Sequence, residues 1–105
     1  MAVSGLGQHW QFAPSAQRLM SREFDDGMVC FDPGSGETLL ISHLAHFLLD
    51  VGTRRLGELL PLDALVAEVL AADDSNANPV EARSQVIHAL AELQQAGFAT
   101  CAANR

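Results

Sequence analysis

The fold is decided by the stretch Arg18-Leu-Met-Ser-Arg-Glu-Phe-Asp-Asp-Gly-Met-Val-Cys-Phe-Asp-Pro-Gly-Ser-Gly-Glu-Thr-Leu-Leu-Ile-Ser42. Asp25-Asp26-Gly27 separates two strand-like runs, and Asp-Gly at such a point favours a hairpin, because these residues tolerate the positive φ of a primed turn. Asp32-Pro-Gly-Ser-Gly36 is a second turn, in which Pro fixes φ and Gly adds freedom. The stretch therefore predicts a meander of three antiparallel strands: Arg18–Phe24, Met28–Asp32 and Glu37–Ser42.

Three helices are predicted to follow the meander. Ser42 is a good N-cap for the first, which has apolar residues at helical spacing as far as Val51 and is expected to close at Gly52. Pro61 suits the first position of the second helix, since its missing N–H is unpaired there in any case. An apolar stripe follows on that helix, formed by Leu62, Leu65, Val66, Val69 and Leu70.

The third helix has signals at both of its ends. Residues 73–78 are predicted to form a polar loop, and Asn78 caps the helix with Glu81 three residues later, as in a capping box. Gly97 stands where a left-handed C-cap belongs. Residues 98–101 are predicted to add a last extended segment.

The N-terminal part of the chain is less regular. Residues 8–12 read as a short strand with Trp10 and Phe12 on one face, and Gly5 and Gly7 predict a mobile N-terminus. The fold class is α+β: a winged-helix-like arrangement in which a three-stranded antiparallel sheet is followed by three helices. The expected division is an N-terminal segment 1–17, a domain 18–101 and a tail 102–105.

Composition narrows the classes of partner. The chain of 105 residues carries 13 acidic against 6 basic residues, a net charge of −7, and every basic residue is Arg. Proteins that bind phosphates collect cations on one face, so nucleic acid and anionic membranes are poor partners and a neutral or basic one is favoured. The two cysteines, Cys30 and Cys101, show no metal-ligand spacing, and no apolar run approaches the roughly 20 residues of a membrane span. A cytoplasmic protein is expected.

Catalytic and metal chemistry find little support in the sequence. His43, His46 and Asp50 share one face of the first helix and have ligand-type side chains, but this face lies opposite the apolar stripe and is better explained as hydrated surface. No histidine has an evident partner that would make it a general base. We therefore expect no catalytic residue, no metal, no cofactor and no enzymatic activity.

Four tracts of the chain carry a resemblance to a known family. They are Ser35–Ser42, Leu44–Asp50, Gly57–Leu60 and Leu90–Phe98. Together, over residues 10–100, they resemble the PqqD family of peptide chaperones, which serve as recognition elements for the precursors of ribosomally made, modified peptides. The aromatic start at Trp10 and the Ser-Gly-Glu-Thr step at Ser35–Thr38 are similar to a PqqD-like subgroup found beside HPr-kinase-related proteins (the HPr-rel-A system).

The resemblance implies a non-catalytic adaptor. In such domains a leader peptide adds a strand to the third strand, lies against the third helix and is presented to a modifying enzyme, often a radical SAM enzyme in the wider family. It implies a precursor peptide and a peptide-modifying or HPr-kinase-related enzyme as partners. The peptide-binding residues expected on this basis are Thr38, Leu39, Leu40, Ile41, Arg83, Val86, Ile87 and Leu90.

The residues leave several alternatives open. Leu39 and Ile41 share one face of the third strand and Leu40 lies on the other, so both faces need to be covered. One face can pack on the helices and the other on a bound peptide. Alternatively, the Trp10–Phe12 segment can cover the second face. On the third helix Val86, Ile87 and Leu90 also suit the core, and Arg83 can be a solvated side chain instead of a contact to an acidic peptide residue.

Two other functions remain as rivals. A winged-helix DNA-binding regulator has the same element order, but the third helix is poor in basic residues. An interaction subunit that docks on a larger enzyme through its helices is the second. A homodimer is plausible because the third strand is expected to have an open edge.

Overall fold

The computed structural model describes residues 8–72 and 78–102, which form two three-stranded antiparallel sheets and three helices. The α+β, winged-helix-like fold class is confirmed. The predictions for Gly5, Gly7, most of the polar loop (73–77) and the end of the tail (103–105) lie outside the described residues. The strands are β1 (His9–Phe12), β2 (Met20–Phe24), β3 (Gly27–Asp32), β4 (Glu37–Ile41), β5 (Leu60–Pro61) and β6 (Ala99–Ala102). The helices are α1 (His43–Thr53), α2 (Leu62–Ala72) and α3 (Pro79–Ala96).

The predicted meander is present as the sheet β2-β3-β4. Its first strand begins at Met20, two residues later than predicted, because Pro14–Arg18 forms a short 3-10 helix. The predicted primed turn after β2 is not formed, because neither Asp25 nor Asp26 has a positive φ. The positive φ lies at Gly27 instead, at 153°. A Cβ atom at Gly27 would collide with the carbonyl oxygen of Ile41, so glycine allows β4 to approach at this point.

The second sheet has the order β5-β1-β6 and joins segments that are far apart in the chain. The predicted strand at residues 8–12 is its central member, and the predicted extended segment after α3 is β6. Trp10 pairs with Leu60 on one side and with Cys101 on the other. The division of the chain at residue 17 stays a prediction, although β1 shares its core with the rest of the domain.

The predicted helix caps are confirmed at three positions. Ser42 Oγ accepts a hydrogen bond from the N–H of Ala45 at 3.1 Å, and Asn78 Oδ1 accepts from two N–H groups in the first turn of α3. Gly97 ends α3 with φ 88° in the left-handed region. These local signals work as expected because each satisfies backbone groups that a helix end leaves without a partner.

Two helix boundaries were predicted wrongly. Gly52 does not close α1, which continues to Thr53; instead Gly52 is buried under the ring of Phe12, where a Cβ atom would overlap the ring carbons. Pro61 does not open α2 but forms the end of β5, paired with His9, and the helix starts one residue later at Leu62. Long-range packing in both cases overrides the local preference.

The core lies between the helices and the inner faces of the two sheets. The largest of its fully buried side chains are Cys30, Leu48, Leu65, Val86, Leu90 and Leu93. Both cysteines are free thiols, Cys30 buried and Cys101 half-buried. No helix in the described parts of the chain combines the length and apolar character needed to cross a membrane.

Candidate functional site

The strand β4 is an edge strand with one side unpaired. It pairs with β3 along one edge, and within residues 8–72 and 78–102 no other strand pairs with it. Leu40 is 60% exposed, so the Trp10–Phe12 segment does not cover it. An edge strand of this kind offers free backbone N–H and C=O groups to another extended chain.

The register of the sheet identifies which backbone groups face outwards. Phe24 and Gly27 close the turn between β2 and β3, and a closing pair of this kind exchanges both backbone hydrogen bonds. Since the direction of the backbone groups alternates along a strand, the residues of β3 that face β4 are Met28, Cys30 and Asp32. Their partners on β4 are Ile41, Leu39 and Glu37. Thr38 and Leu40 therefore direct their N–H and C=O groups to the open side; we call these four groups the docking edge.

Both ends of the docking edge are closed by bonds within the protein. On one side the N–H of Gly36 donates to the carbonyl oxygen of Asp32 at 2.7 Å, and the φ of Gly36, 79°, turns the chain out of the strand direction. On the other side the N–H of Ser42 donates to Glu92 Oε2 at 2.9 Å. The carbonyl oxygen of Ser42 accepts from the N–H of His46 in α1.

The helix α3 is held beside this edge through Glu92. In addition to the bond from the Ser42 N–H, Ser42 Oγ donates to Glu92 Oε1 at 2.9 Å, so both carboxylate oxygens accept hydrogen bonds from the residue that follows β4. Bonds to an ionised carboxylate are shorter and stronger than neutral ones. On the described helix, Gln85 and His88 are exposed and stand seven and four residues before Glu92. At 3.6 residues per turn all three share one side, which we call the Glu92 flank.

Arg83 lies on the opposite side of α3. It stands nine residues before Glu92, two and a half turns away, and its guanidinium bonds the carboxylate of Asp63 in α2. This side borders a groove of about 340 Å³ between α2 and α3, lined among others by Val66, Leu70, Val80 and Arg83. Ile87, one turn after Arg83, is also on this side and is 39% exposed, so its predicted core position is wrong.

The structure brings only some of the predicted binding residues together. Thr38 and Leu40 are exposed on β4, Leu39 is half-buried and Ile41 is buried, so Leu39 and Ile41 are the set that faces the core. Val86 and Leu90 are fully buried in α3 and present no surface. Arg83 bonds Asp63 in α2, and Ile87 follows it one helical turn later, so none of the four predicted α3 residues lies on the Glu92 flank. The binding role of the whole set stays a prediction.

Sequence reasoning missed the Glu92 flank. Its members are polar residues at positions i, i+3 and i+7 of the sequence. This spacing is equally typical of any solvent-exposed side of a helix, so it does not indicate a site. Only the bonds between Glu92 and Ser42 distinguish this side from the others.

The outer face of the β2-β3-β4 sheet is unusually apolar for an exposed surface. Because paired residues of an antiparallel sheet point to the same face, Met20 and Phe31 lie together, and Val29 lies beside Leu40. Met20, Phe24, Phe31 and Leu40 are all exposed. Leu40 thus belongs to this face by its side chain and to the docking edge by its backbone.

Of the two histidines of α1, His43 is exposed and His46 is half-buried. His43 Nε2 lies 3.4 Å from Glu23 Oε2, and Asp50 pairs with Arg54 at 3.4 Å. Across the described chain, no three His, Cys, Asp or Glu side chains are grouped as metal ligands.

Comparison with known proteins gives one informative likeness. No family model and no curated protein matches the chain. A solved structure described as lasso peptide synthetase B1 complexed with the leader peptide is similar, with a TM-score of 0.52 and 21% sequence identity. The match covers 87% of this chain and 96% of that one. At this identity the likeness establishes a shared fold across almost the whole domain.

Proposed function

We propose that this chain is a non-catalytic adaptor that captures a precursor peptide by strand addition to β4, beside α3, and presents it to a modifying enzyme. The observation that carries the proposal is the docking edge, two N–H and two C=O groups of Thr38 and Leu40 on an open strand. An extended peptide that pairs with these groups gains backbone hydrogen bonds, and side-chain contacts at alternate positions provide selection.

The arrangement gives the two sides of a bound peptide different surroundings. Side chains of the added strand that point to the outer face would meet Leu40 and the apolar surface around it. Those that point inwards would meet Leu39 and the Glu92 flank. An alternating peptide with apolar residues on one side and polar or basic residues on the other fits best, in keeping with the net charge of −7.

The fold likeness supports the same proposal. The similar solved structure is a protein in complex with a leader peptide, and its fold covers nearly all of this chain. The resemblance to the PqqD-like subgroup adds an HPr-kinase-related or other peptide-modifying enzyme as the recipient. A short reading frame and such an enzyme encoded next to this gene would identify both partners, whereas a neighbourhood without either would count against the recipient.

The proposal is tested by selecting peptides and locating where they bind. A library of random linear peptides is displayed on phage and panned against the protein, and the enriched peptide is followed by amide chemical shifts. Strand addition predicts the largest changes at Thr38–Ile41 and along α3. Changes confined to residues 43–50 would favour docking through a helix instead, and retention on duplex DNA at physiological salt would favour a DNA-binding regulator.

A proline at the docking edge provides the sharpest variant. Leu40→Pro removes one outward N–H and no internal hydrogen bond, so we expect the protein to fold and to lose the enriched peptide. Leu40→Ala is the matched control: it keeps the N–H and shortens only the side chain, and it should retain most of the affinity. Equal binding by the proline variant and the wild type, both folded by circular dichroism, would refute strand addition.

The same edge makes self-association testable. A second copy of the chain that paired along β4 would compete with the peptide for the same backbone groups. Sedimentation of the free protein and of its peptide complex distinguishes the two occupants, because a dimer through β4 dissociates as peptide is added.

A further inference from the structure

The proposed function does not explain why Ser42 donates two hydrogen bonds to the carboxylate of Glu92. All the polar groups of Ser42 are used within the protein: the N–H and Oγ–H donate to the carboxylate of Glu92, Oγ also caps α1, and the carbonyl oxygen accepts from His46. For the helix cap alone, the bond from Ala45 to Ser42 Oγ is sufficient. The backbone bond to Glu92 therefore has a separate role.

The N–H of Ser42 is the next outward donor of β4. The outward positions recur every second residue, at Thr38, Leu40 and then Ser42, whose φ and ψ of −67° and 159° continue the extended chain. A carboxylate oxygen 2.9 Å from this N–H stands where the carbonyl oxygen of an added strand would otherwise stand. At the other end, the N–H of Gly36 is satisfied by Asp32.

We propose that Glu92 is a positioning residue that ends the docking edge at Leu40, so that a bound peptide pairs with Thr38 and Leu40 and stops short of Ser42. The inference rests on the proposed peptide binding and makes it specific. The carbonyl groups of Thr38 and Leu40 receive two peptide N–H groups whether the added strand is parallel or antiparallel. The substrate is accordingly a short extended segment whose backbone is recognised at two positions, with Glu92 setting its register.

The experiment measures amide hydrogen exchange residue by residue, with and without the enriched phage-display peptide. In the free wild-type protein the Ser42 amide should exchange slowly, and those of Thr38 and Leu40 quickly. Addition of the peptide should protect Thr38 and Leu40 and leave Ser42 unchanged. In Glu92→Ala the Ser42 amide should exchange about tenfold faster in the free protein, as expected for loss of one hydrogen bond, and should become protected when peptide is added.

Three further variants separate positioning from a loss of stability. Ser42→Ala removes the helix cap but keeps the backbone N–H at this position, which should stay protected by Glu92. Glu81→Ala removes an equal charge eleven residues earlier on the same side of α3 and should change none of the three amides. Glu92→Gln keeps an acceptor and should restore part of the protection.

The outcomes that overturn the inference differ from those that overturn peptide binding. A Ser42 amide that exchanges as fast as Leu40 in the free wild-type protein, or that stays protected in Glu92→Ala, refutes the role of Glu92 even if peptides bind at β4. Protection of Ser42 by peptide in the wild type refutes it as well. A peptide that protects none of the β4 amides refutes strand addition and leaves the free-protein result for Glu92 intact.

Discussion

The two sheets of this domain both have three antiparallel strands, but they differ in how far their edges and faces are covered. In the β5-β1-β6 sheet the central strand is paired on both sides, and Trp10 and Phe12 are buried in the core. In the β2-β3-β4 sheet the last strand keeps an open edge, and the outer face exposes Phe24 and Leu40. The first sheet ties distant parts of the chain together, whereas the second leaves backbone and apolar surface available to a partner.

Sheet order alone therefore does not distinguish an edge that is open to another chain. Both sheets have three strands, and both have edges. Among the strands of residues 8–72 and 78–102, only β4 combines an unpaired edge of several residues with a helix tethered beside it, through Ser42 and Glu92. The edge strand β5, with two residues, is too short to receive another chain.

The largest effect is expected from truncating one aromatic residue in each sheet. Phe12 is 2% exposed and packs in the core, so Phe12→Ala should lower the free energy of unfolding by about 3–5 kcal/mol. Phe24 is 50% exposed, so Phe24→Ala should cost less than about 1 kcal/mol. Urea unfolding of both variants measures the contrast, and equal losses would show that the two sheets contribute alike to stability.

A smaller effect is expected where α1 packs against β1. Gly52→Ala places a methyl group against the ring of Phe12 and should destabilise the protein by about 1–3 kcal/mol through overpacking. The double variant Gly52→Ala/Phe12→Leu tests this cause, because a smaller partner should relieve part of the clash. If the two losses simply add, the contact between Gly52 and Phe12 is not the origin of the effect.

The smallest effect is expected on the side of α3 that faces away from β4. Arg83→Ala breaks a partly exposed pair with Asp63 and should lower the free energy of unfolding by less than about 1 kcal/mol. Because Arg83 lies across the helix from Glu92, the enriched peptide should bind this variant as it binds the wild type. His88→Ala, on the Glu92 flank, is the contrasting variant, and titration calorimetry measures the peptide affinity of both. A loss of affinity in Arg83→Ala alone would show that the peptide lies on the Arg83 side of α3 and not on the Glu92 flank.

Much of the open sheet was predictable because its signals are local. The Asp-Gly and Pro-Gly-Ser-Gly turns place three short strands next to one another, and the run Leu39-Leu40-Ile41 already shows that both faces of the third strand need cover. The helix ends at Ser42, Asn78 and Gly97 follow from the same kind of information. Each depends on residues within a few positions of one another.

The residues of α3 that border β4 were harder to assign. The apolar stripe of a helix identifies its core side, which is why Val86 and Leu90 stood out, but it does not tell which neighbour borders each of the other sides. The separation of Arg83 and Glu92 onto opposite sides follows from simple helix geometry. Which of them faces β4 depends on how the helix is rotated in the assembled core.

By itself, the sequence determined the strands of the meander, the helix caps, the acidic surface and the presence of a third strand with two apolar faces. The tertiary structure alone decided that β1 joins β5 and β6, that Gly52 makes room for Phe12, and that Glu92 ends the open edge at Ser42. Turns and caps are governed by backbone sterics and hydrogen bonds between near neighbours. Contacts across 40 or 50 residues depend instead on how the whole core packs, and no short stretch of sequence specifies that.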